Sequence, residues 1–217
     1  MNKELIKRIL SSLILFPIVV FFIVKGSFSF IFFILIALII TIYEWHKMTK
    51  NKNHYIPGLF FLLFSFYSVF QLRNINDDGY FFLLFIVIIC VSTDIGGYIF
   101  GKIFKGPKLT KISPKKTYSG VIGGYLLSII LANFYISEGI TEKQIIFSLQ
   151  MFIFVLLVST ISQLGDILIS YFKRLSKIKD TGKIIPGHGG LLDRIDGMIF
   201  AFPFSYLAYL TSYLAIF

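Results

Sequence analysis

The residues best suited to chemistry lie in one polar stretch near the C-terminus, from Ser170 to Asp196. Asp193 and Asp196 are three residues apart with Arg194 between them, at the start of the last apolar segment. Carboxylates are hard oxygen ligands for Mg²⁺, and a guanidinium binds phosphate oxygens. This set fits phosphoryl or nucleotidyl transfer. Capping of the following helix is the simpler explanation for one of the two carboxylates, and both explanations stay open.

Asp166 extends this stretch upstream, at the inner end of an apolar segment. Asp166, Ser170 and Lys173 are spaced i, i+4 and i+7, so that they line one face of a helix, and Arg174 follows. The pattern indicates a metal ligand beside phosphate-binding cations. A solvated helix end with its own salt bridge is the alternative.

The loop between these groups is rich in glycine. Gly189 and Gly190 permit a close backbone approach, so that their amides could hold phosphate oxygens. His188 is a candidate hydrogen-bond donor or general acid–base, although a loop histidine is more often a surface residue. Asp180 is a further candidate for substrate binding.

A second basic segment covers residues 101–120, after an apolar run that contains Asp94. Six lysines lie between Lys102 and Lys116, and Ser113, Lys115 and Lys116 stand close together at its end. Glycine and proline exclude one long helix here, which predicts a loop fixed at both ends. The loop either anchors the membrane topology or binds a nucleoside triphosphate.

The other acidic residues fall in predicted loops or at helix ends, where solvation explains them. They are Glu4, Glu44, Asp77, Asp78, Glu138 and Glu142.

The elements that position these groups must be membrane helices, because the 217 residues are 56% hydrophobic and only 15% charged. Apolar runs near the roughly 20 residues needed for a crossing predict an all-α, polytopic membrane bundle of about seven spans. We treat residues 1–217 as one membrane domain, with N-terminal helices in 1–92 and a catalytic portion in 93–217 whose cytoplasmic loops are 101–120 and 172–197. The predicted spans are Leu10–Val24, Phe28–Tyr43, Ile56–Leu72, Tyr80–Phe100, Val121–Ile136, Ile145–Tyr171 and Met198–Phe217.

Positive charge predicts the orientation. With a cytoplasmic N-terminus, only Lys25, Arg73 and Lys143 of the 21 Lys and Arg residues fall outside. The net charge of +10 therefore collects on the cytoplasmic face, where anionic lipid or a polyanionic small molecule would bind. The loops lack a nucleic-acid-binding module, so that nucleic acid is not an expected partner.

The spacing of these polar residues resembles the signature of the phosphatidate cytidylyltransferases, also called CDP-diacylglycerol synthases. The opening segment 4–20 and Tyr43-Glu44-Trp45 are similar to bacterial members. The matching positions are Ser170, Lys173, Arg174, Lys179, Asp180, Gly182, Pro186, His188, Gly189, Gly190, Asp193, Arg194 and Asp196, with Asp94, Gly96, Tyr98, Gly101, Lys108, Leu109 and 112–117 upstream.

The resemblance implies that CTP and phosphatidate give CDP-diacylglycerol and pyrophosphate in a bacterial cytoplasmic membrane, with the site facing the cytoplasm. It implies Mg²⁺ held by Asp166 and Asp193, with K⁺ sharing the site, and it is compatible with a homodimer. Asp196 and Asp180 would support the metal ligands, the cations Lys173, Arg174 and Arg194 would hold phosphates, and Ser113 to Lys116 would help hold the nucleotide.

Two alternatives remain at this point. A CTP-dependent kinase of an isoprenoid or other lipid alcohol would need the same groups. A transporter would place charges near the middle of several spans. Here the charges collect at one surface, which disfavours a transporter.

Overall fold

The computed structural model describes residues 3–75, 78–110, 112–138, 147–185 and 189–211, with side chains from residue 14 onward. Its regular structure is helical. The helices are α1 (Lys3–Lys25), α2 (Ser27–Thr49), α3 (Tyr55–Arg73), α4 (Gly79–Phe104), α5 (Tyr118–Ser137), α6 (Leu149–Leu175), the short α7 (Leu192–Ile195) and α8 (Met198–Leu210).

Within the described ranges, five helices, α2 to α6, are long and apolar enough to cross a membrane, and two shorter apolar helices cover Ile14–Lys25 and Met198–Leu210. The predicted all-α membrane bundle is therefore confirmed, and its span count agrees with five long helices and two shorter ones. The ends differ from the prediction: α6 runs from Leu149 to Leu175, four residues later than expected at each end. The predicted end of the last span, residues 212–217, lies outside the described residues.

Large apolar side chains face both inward and outward. Phe85 and Phe154 are completely buried and stack at 6.4 Å in the centre of the bundle. Phe28, Phe60 and Leu149 are more than two-thirds exposed. An apolar exterior of this kind is stable in contact with lipid and not with water, because exposed apolar surface is unfavourable in water.

Glycines bring α4 and α5 together. A Cβ atom on Gly96 would lie 2.3 Å from the carbonyl oxygen of Gly123, and one on Gly120 would lie 2.8 Å from that of Gly97. Small residues allow this close approach between membrane helices. The packing fixes the inner ends of both helices, and the lysine-rich loop connects those ends.

The two ends of the bundle differ. At one end the Arg73 guanidinium donates to the carbonyls of Ile23 and Val24, next to the tight α1–α2 turn at Gly26 (φ 63°). At the other end, the loop after α2 meets the end of α6, where Lys52 donates to the Leu175 carbonyl. The functional candidates collect at this second end.

Candidate active site

The glycine loop, residues 180–191, lies between α6 and α7. Ile185 and Gly189 exchange backbone hydrogen bonds of 2.9 and 3.2 Å, and Gly189 has φ +91°, a conformation that favours glycine. The Gly190 amide donates to Asp193. Both glycine amides therefore have partners in this structure, one in the loop and one in α7. His188 lies outside the described residues.

Asp193 is held by the loop that precedes it. Its Oδ2 accepts hydrogen bonds from the Thr181 amide at 2.8 Å, the Thr181 hydroxyl at 3.1 Å and the Gly190 amide at 3.0 Å. Its Oδ1 accepts from the Lys173 ammonium at 2.9 Å. The side chain of Asp193 is only 4% exposed. The Asp193 carboxylate therefore holds the glycine loop in place. Among the described residues, no side chain caps the N-terminus of α7.

The structure contradicts the sequence prediction that Glu44 is a solvated residue at a helix end. Glu44 is only 1% exposed and lies under the glycine loop. Its carboxylate accepts from the Thr181 hydroxyl at 3.0 Å and from the Leu191 and Leu192 amides at 2.9 and 2.8 Å. A buried carboxylate is stable only when such donors satisfy it. Glu44 therefore connects α2 to the loop that holds Asp193.

The Thr181 hydroxyl lies between the two carboxylates, within 3.1 Å of both. A Cβ atom on Gly190 would lie 2.2 Å from that hydroxyl oxygen, and one on Gly182 would lie 2.6 Å from a Glu44 oxygen. Glycine is therefore required at positions 182 and 190 because the loop approaches Glu44 so closely.

Lys173 on α6 lies between Asp193 and Asp196, at 2.9 and 3.9 Å from their oxygens. Burial raises the pKa of Asp196 well above its ordinary value, and the charges of Asp166 and Asp94 add to this, while Lys173 and Lys116 oppose it. Asp94 itself is exposed, near the inner end of α4. The alternative of a salt bridge within α6 does not describe Lys173, which pairs with Asp193 and Asp196.

Asp166 pairs instead with the lysine loop, residues 105–117. Its Oδ2 lies 2.5 Å from the Lys116 ammonium, and its Oδ1 accepts from the Ser170 hydroxyl at 3.3 Å. Lys116 also donates to the Gln163 carbonyl at 3.3 Å. The lysine loop and α6 thus form one cluster.

The lysine loop is folded back on itself. The Leu109 amide donates to the Lys116 carbonyl at 2.8 Å, and the Tyr118 amide donates to the Pro107 carbonyl at 3.2 Å. Thr117 caps α5 by accepting from the Gly120 amide. The expected loop, fixed at both ends, is what the structure contains.

The remaining predicted residues lie around this cluster. The side chains of Lys115 and Arg194 are exposed, and Ser113 is partly buried. Arg174 donates to the Ile178 carbonyl at 3.1 Å, where it supports the turn after α6. Asp180 is exposed and lies beside Gly189.

The carboxylates of the cluster are compatible with a magnesium ion that is held only in part by the protein. Among the described residues, no three acidic, histidine or cysteine side chains form a preformed metal site. Mg²⁺ does not need such a cage, since it is commonly held by one or two carboxylates together with water and substrate phosphates. Asp193 is suited to hold Mg²⁺ in this way. Hydrogen bonds to Oδ2 fix the carboxylate and so orient Oδ1, as hydrogen-bonded partners do for carboxylates that bind a metal. Asp166, 27% exposed, supplies a second carboxylate.

Sequence reasoning missed Glu44 because its partners are 137 to 148 residues away. One signal was available: Glu44 belongs to the Tyr43-Glu44-Trp45 segment that resembles bacterial family members.

Comparison with known proteins identifies the family. The model of the "Cytidylyltransferase family" matches residues 6–74 and 54–212. Three similar proteins are named phosphatidate cytidylyltransferase. The one from Rickettsia felis is 37% identical over 93% of this chain and 91% of its own length; that from Rickettsia conorii is 38% identical over 88% and 85%; that from Bacillus subtilis is 32% identical over 81% and 65%. The resemblance seen in the sequence is thereby confirmed, and the chain belongs to the cytidylyltransferase family, a family of nucleotidyltransferase enzymes.

Proposed function

We propose that this enzyme transfers the cytidylyl group of CTP to phosphatidate, forming CDP-diacylglycerol and pyrophosphate. The observation that carries the proposal is the cluster in which Lys173 joins Asp193 and Asp196 while Lys116 joins Asp166. The names of the similar proteins support phosphatidate as the acceptor.

The reaction explains why the cluster needs cations. A phosphatidate oxygen forms a bond to the α-phosphorus of CTP, and the bond from that phosphorus to the oxygen bridging the α- and β-phosphates breaks. The electron pair leaves with pyrophosphate. Because all reacting groups are anionic, neutralising charge and aligning the two phosphates provide most of the catalysis. Lys173 and Lys116 place two ammonium groups among the carboxylates for this purpose.

We further propose that Asp166 and Asp193 hold Mg²⁺, with Asp196 nearby. The bound ion would supply charge neutralisation on the phosphates of CTP. The chain's own contribution is to keep the Asp193 carboxylate rigid through Thr181 and Gly190, and to bring Lys116 to Asp166.

The lysine distribution supports a cytoplasmic site. Lys116 of the lysine loop contacts Asp166 on α6, and Asp193, which holds the glycine loop, contacts Lys173 on the same helix. Arg73 lies at the other end of the bundle. By the positive-inside rule, the lysine-rich end faces the cytoplasm, where CTP is available. The similar proteins are bacterial, which supports a bacterial cytoplasmic membrane.

The test uses purified protein with phosphatidate, Mg²⁺ and CTP labelled at either the α- or the γ-phosphate. Cytidylyl transfer puts the α-label into lipid and the γ-label into pyrophosphate. A lipid kinase would put the γ-label into lipid and release CDP. Transfer of γ-label to lipid, or of neither label, would contradict the proposal.

A further inference from the structure

The second half of α4 exposes an apolar stripe that ends in a lysine. The α4 stripe consists of residues spaced i, i+3, i+4, i+7 and i+8, which lie on one face of a helix: Ile95, Tyr98, Ile99, Lys102 and Ile103. The four uncharged side chains are between 40% and 65% exposed, and Lys102 is exposed as well. In a membrane-spanning helix, such a stripe faces the acyl chains of the bilayer.

Lys102 lies where the α4 stripe reaches the membrane surface. Its ammonium lies over the Tyr98 ring, 5.7 Å from the ring centroid. The helix ends two residues later at Phe104, and Lys105 follows with its side chain exposed. Lysine and tyrosine near a helix end are typical of the membrane interface, where long cationic side chains reach the lipid headgroups. The stripe therefore extends from the acyl chains to the headgroups.

The positive charge at this surface is not neutralised by the protein. Among the described residues, every salt bridge belongs to the carboxylate cluster of the active site, and neither Lys102 nor Lys105 takes part in one. The exposed carboxylate on α4, that of Asp94, is eight residues before Lys102, which is about 12 Å along the helix. The two ammonium groups are thus available to an anion from outside the protein.

Lys105 has an unusual backbone conformation. Its φ of 54° lies in the region that favours glycine, and its ψ is −104°. Strained residues of this kind persist where the surrounding structure holds them, and they are concentrated at functional sites. Here the Ser119 hydroxyl donates to the Lys105 carbonyl at 2.6 Å. The start of α5 therefore holds Lys105 in place while its side chain stays exposed.

The same segment is connected to the active site through the backbone. The Tyr118 amide donates to the Pro107 carbonyl, and the Leu109 amide donates to the Lys116 carbonyl. The Lys116 ammonium in turn contacts Asp166. A ligand that fixes the beginning of the lysine loop therefore also restricts Lys116.

We propose that the α4 stripe and Lys105 together bind one anionic phospholipid that is not the substrate. Its phosphate lies against Lys102 and Lys105, and an acyl chain lies along the three isoleucines. Charge complementarity identifies this occupant: a zwitterionic lipid would bring a cation of its own, and a symmetric second copy of the chain would bring its own lysines to the same patch. The bound lipid is not the one that reacts, because neither lysine pairs with the active-site carboxylates.

Binding is tested with a fluorophore beside the stripe. Phe104→Cys provides an exposed thiol for labelling, since Cys90, the only natural cysteine, is completely buried. The labelled protein in detergent micelles is titrated with phosphatidylglycerol that carries a nitroxide quencher on one acyl chain, and separately with phosphatidylcholine labelled at the same carbon. We expect saturable quenching by phosphatidylglycerol, reversed by the unlabelled lipid, at concentrations where phosphatidylcholine has little effect. Equal quenching by the two lipids, or reversal by phosphatidate alone, would overturn the proposal.

Two charge-matched double variants of the labelled protein show which lysines are responsible. Lys102→Gln with Lys105→Gln removes two charges from the proposed site, whereas Lys47→Gln with Lys50→Gln removes two exposed charges at the end of α2, on the same membrane face. The first pair should reduce the preference for phosphatidylglycerol at least about fivefold, roughly the contribution of one lysine near an anionic lipid surface. The second pair should leave it nearly unchanged. Equal losses would overturn the proposal, as would unchanged quenching with an altered oligomeric state in the first pair, which would assign the surface to a second copy.

The consequence for activity rests on the proposed function and is measured in nanodiscs with saturating phosphatidate. Replacing part of the phosphatidylcholine by phosphatidylglycerol should lower the KM for CTP about fivefold, the lower end of coupling between two sites. An anionic surface by itself repels CTP and would raise this constant, so that a fall indicates a bound lipid acting through the lysine loop.

The fall in KM should persist in the Lys47 and Lys50 double variant and disappear in the Lys102 and Lys105 double variant. An unchanged or higher KM in the unmodified enzyme would overturn the link to the lysine loop. The two failures are distinguishable: absence of any CDP-diacylglycerol contradicts the proposed function, whereas the quenching measurements need no turnover and test the lipid site alone.

Discussion

The two loops at the active-site end of the bundle are built in different ways. The glycine loop is fixed by two buried carboxylates, Glu44 and Asp193. Together they accept hydrogen bonds from four backbone amides of the loop and the start of α7, and the Thr181 hydroxyl lies within reach of both. The lysine loop is held mainly by its own backbone, and it reaches the carboxylates through one long side chain, that of Lys116.

The two loops supply charge in different ways. The glycine loop holds the buried carboxylate of Asp193 rigidly, so that this group is already oriented in the folded protein before substrate binds. The lysine loop supplies an ammonium on a flexible four-carbon chain that is 23% exposed, so that part of its charge is screened by solvent. We therefore expect substitutions around the glycine loop to be more damaging than those in the lysine loop.

The largest effect is expected for Asp193→Asn. The substitution removes the negative charge between Lys173 and the loop amides, and it removes the proposed metal ligand. Formation of CDP-diacylglycerol should fall at least about 100-fold, the scale for loss of one preorganised group at an active site. Asp78→Asn, at the exposed start of α4, is the control and should be near normal. Near-normal turnover of Asp193→Asn in well-folded protein would remove Asp193 from the site.

Glu44→Gln should have the next largest effect. The amide group of glutamine would direct its own N–H donors toward the donors of Thr181, Leu191 or Leu192, which disturbs the loop that holds Asp193. We expect a loss of about tenfold in kcat, the lower end for a residue that orients a metal ligand. Glu138→Gln, at the exposed end of α5, is the matched control.

A readout specific to positioning is the Mg²⁺ dependence of the rate. Glu44→Gln should require more Mg²⁺ for half-maximal activity, and Glu44→Asp should partly restore the unmodified value. If Glu44→Gln lowers thermal stability but leaves kcat and the Mg²⁺ requirement unchanged, Glu44 is only a structural residue.

A smaller effect than that of Glu44→Gln is expected for Lys116→Gln, with Lys115→Gln as the comparison. Lys116→Gln removes the ammonium that contacts Asp166 and the Gln163 carbonyl, and it should raise the KM for CTP by about three- to tenfold. Lys115 is exposed, so that Lys115→Gln should change this constant by less than about twofold. Equal effects of the two substitutions would indicate that the loop acts through its overall charge and not through one contact.

Much of this arrangement could be predicted from the sequence. Uninterrupted apolar runs predicted the helices, and the distribution of lysine and arginine predicted that the lysine loop and the glycine loop lie on one face. The i, i+4 spacing correctly placed Ser170 beside Asp166, because helical periodicity is a local property.

The pairing of the charges could not be predicted in the same way. Asp166 pairs with Lys116 and Lys173 pairs with Asp193, although each has an opposite charge nearer in sequence. Glu44 is the clearest case. Its burial depends on the packing of α2 beneath a loop near the other end of the chain, and a local pattern contains no information about that contact.

The claim that the lysine loop and α6 form one cluster at the active site is tested most directly by a double-mutant cycle. The dissociation constant for CTP is measured for the unmodified enzyme, Lys116→Gln, Asp166→Asn and the variant that carries both substitutions. Residues in direct contact typically show interaction energies of about 0.5–3 kcal/mol in such cycles. We predict that the double variant binds CTP no more weakly than the more damaging single variant. Losses that simply add would contradict the account, because they would mean that Lys116 and Asp166 act independently.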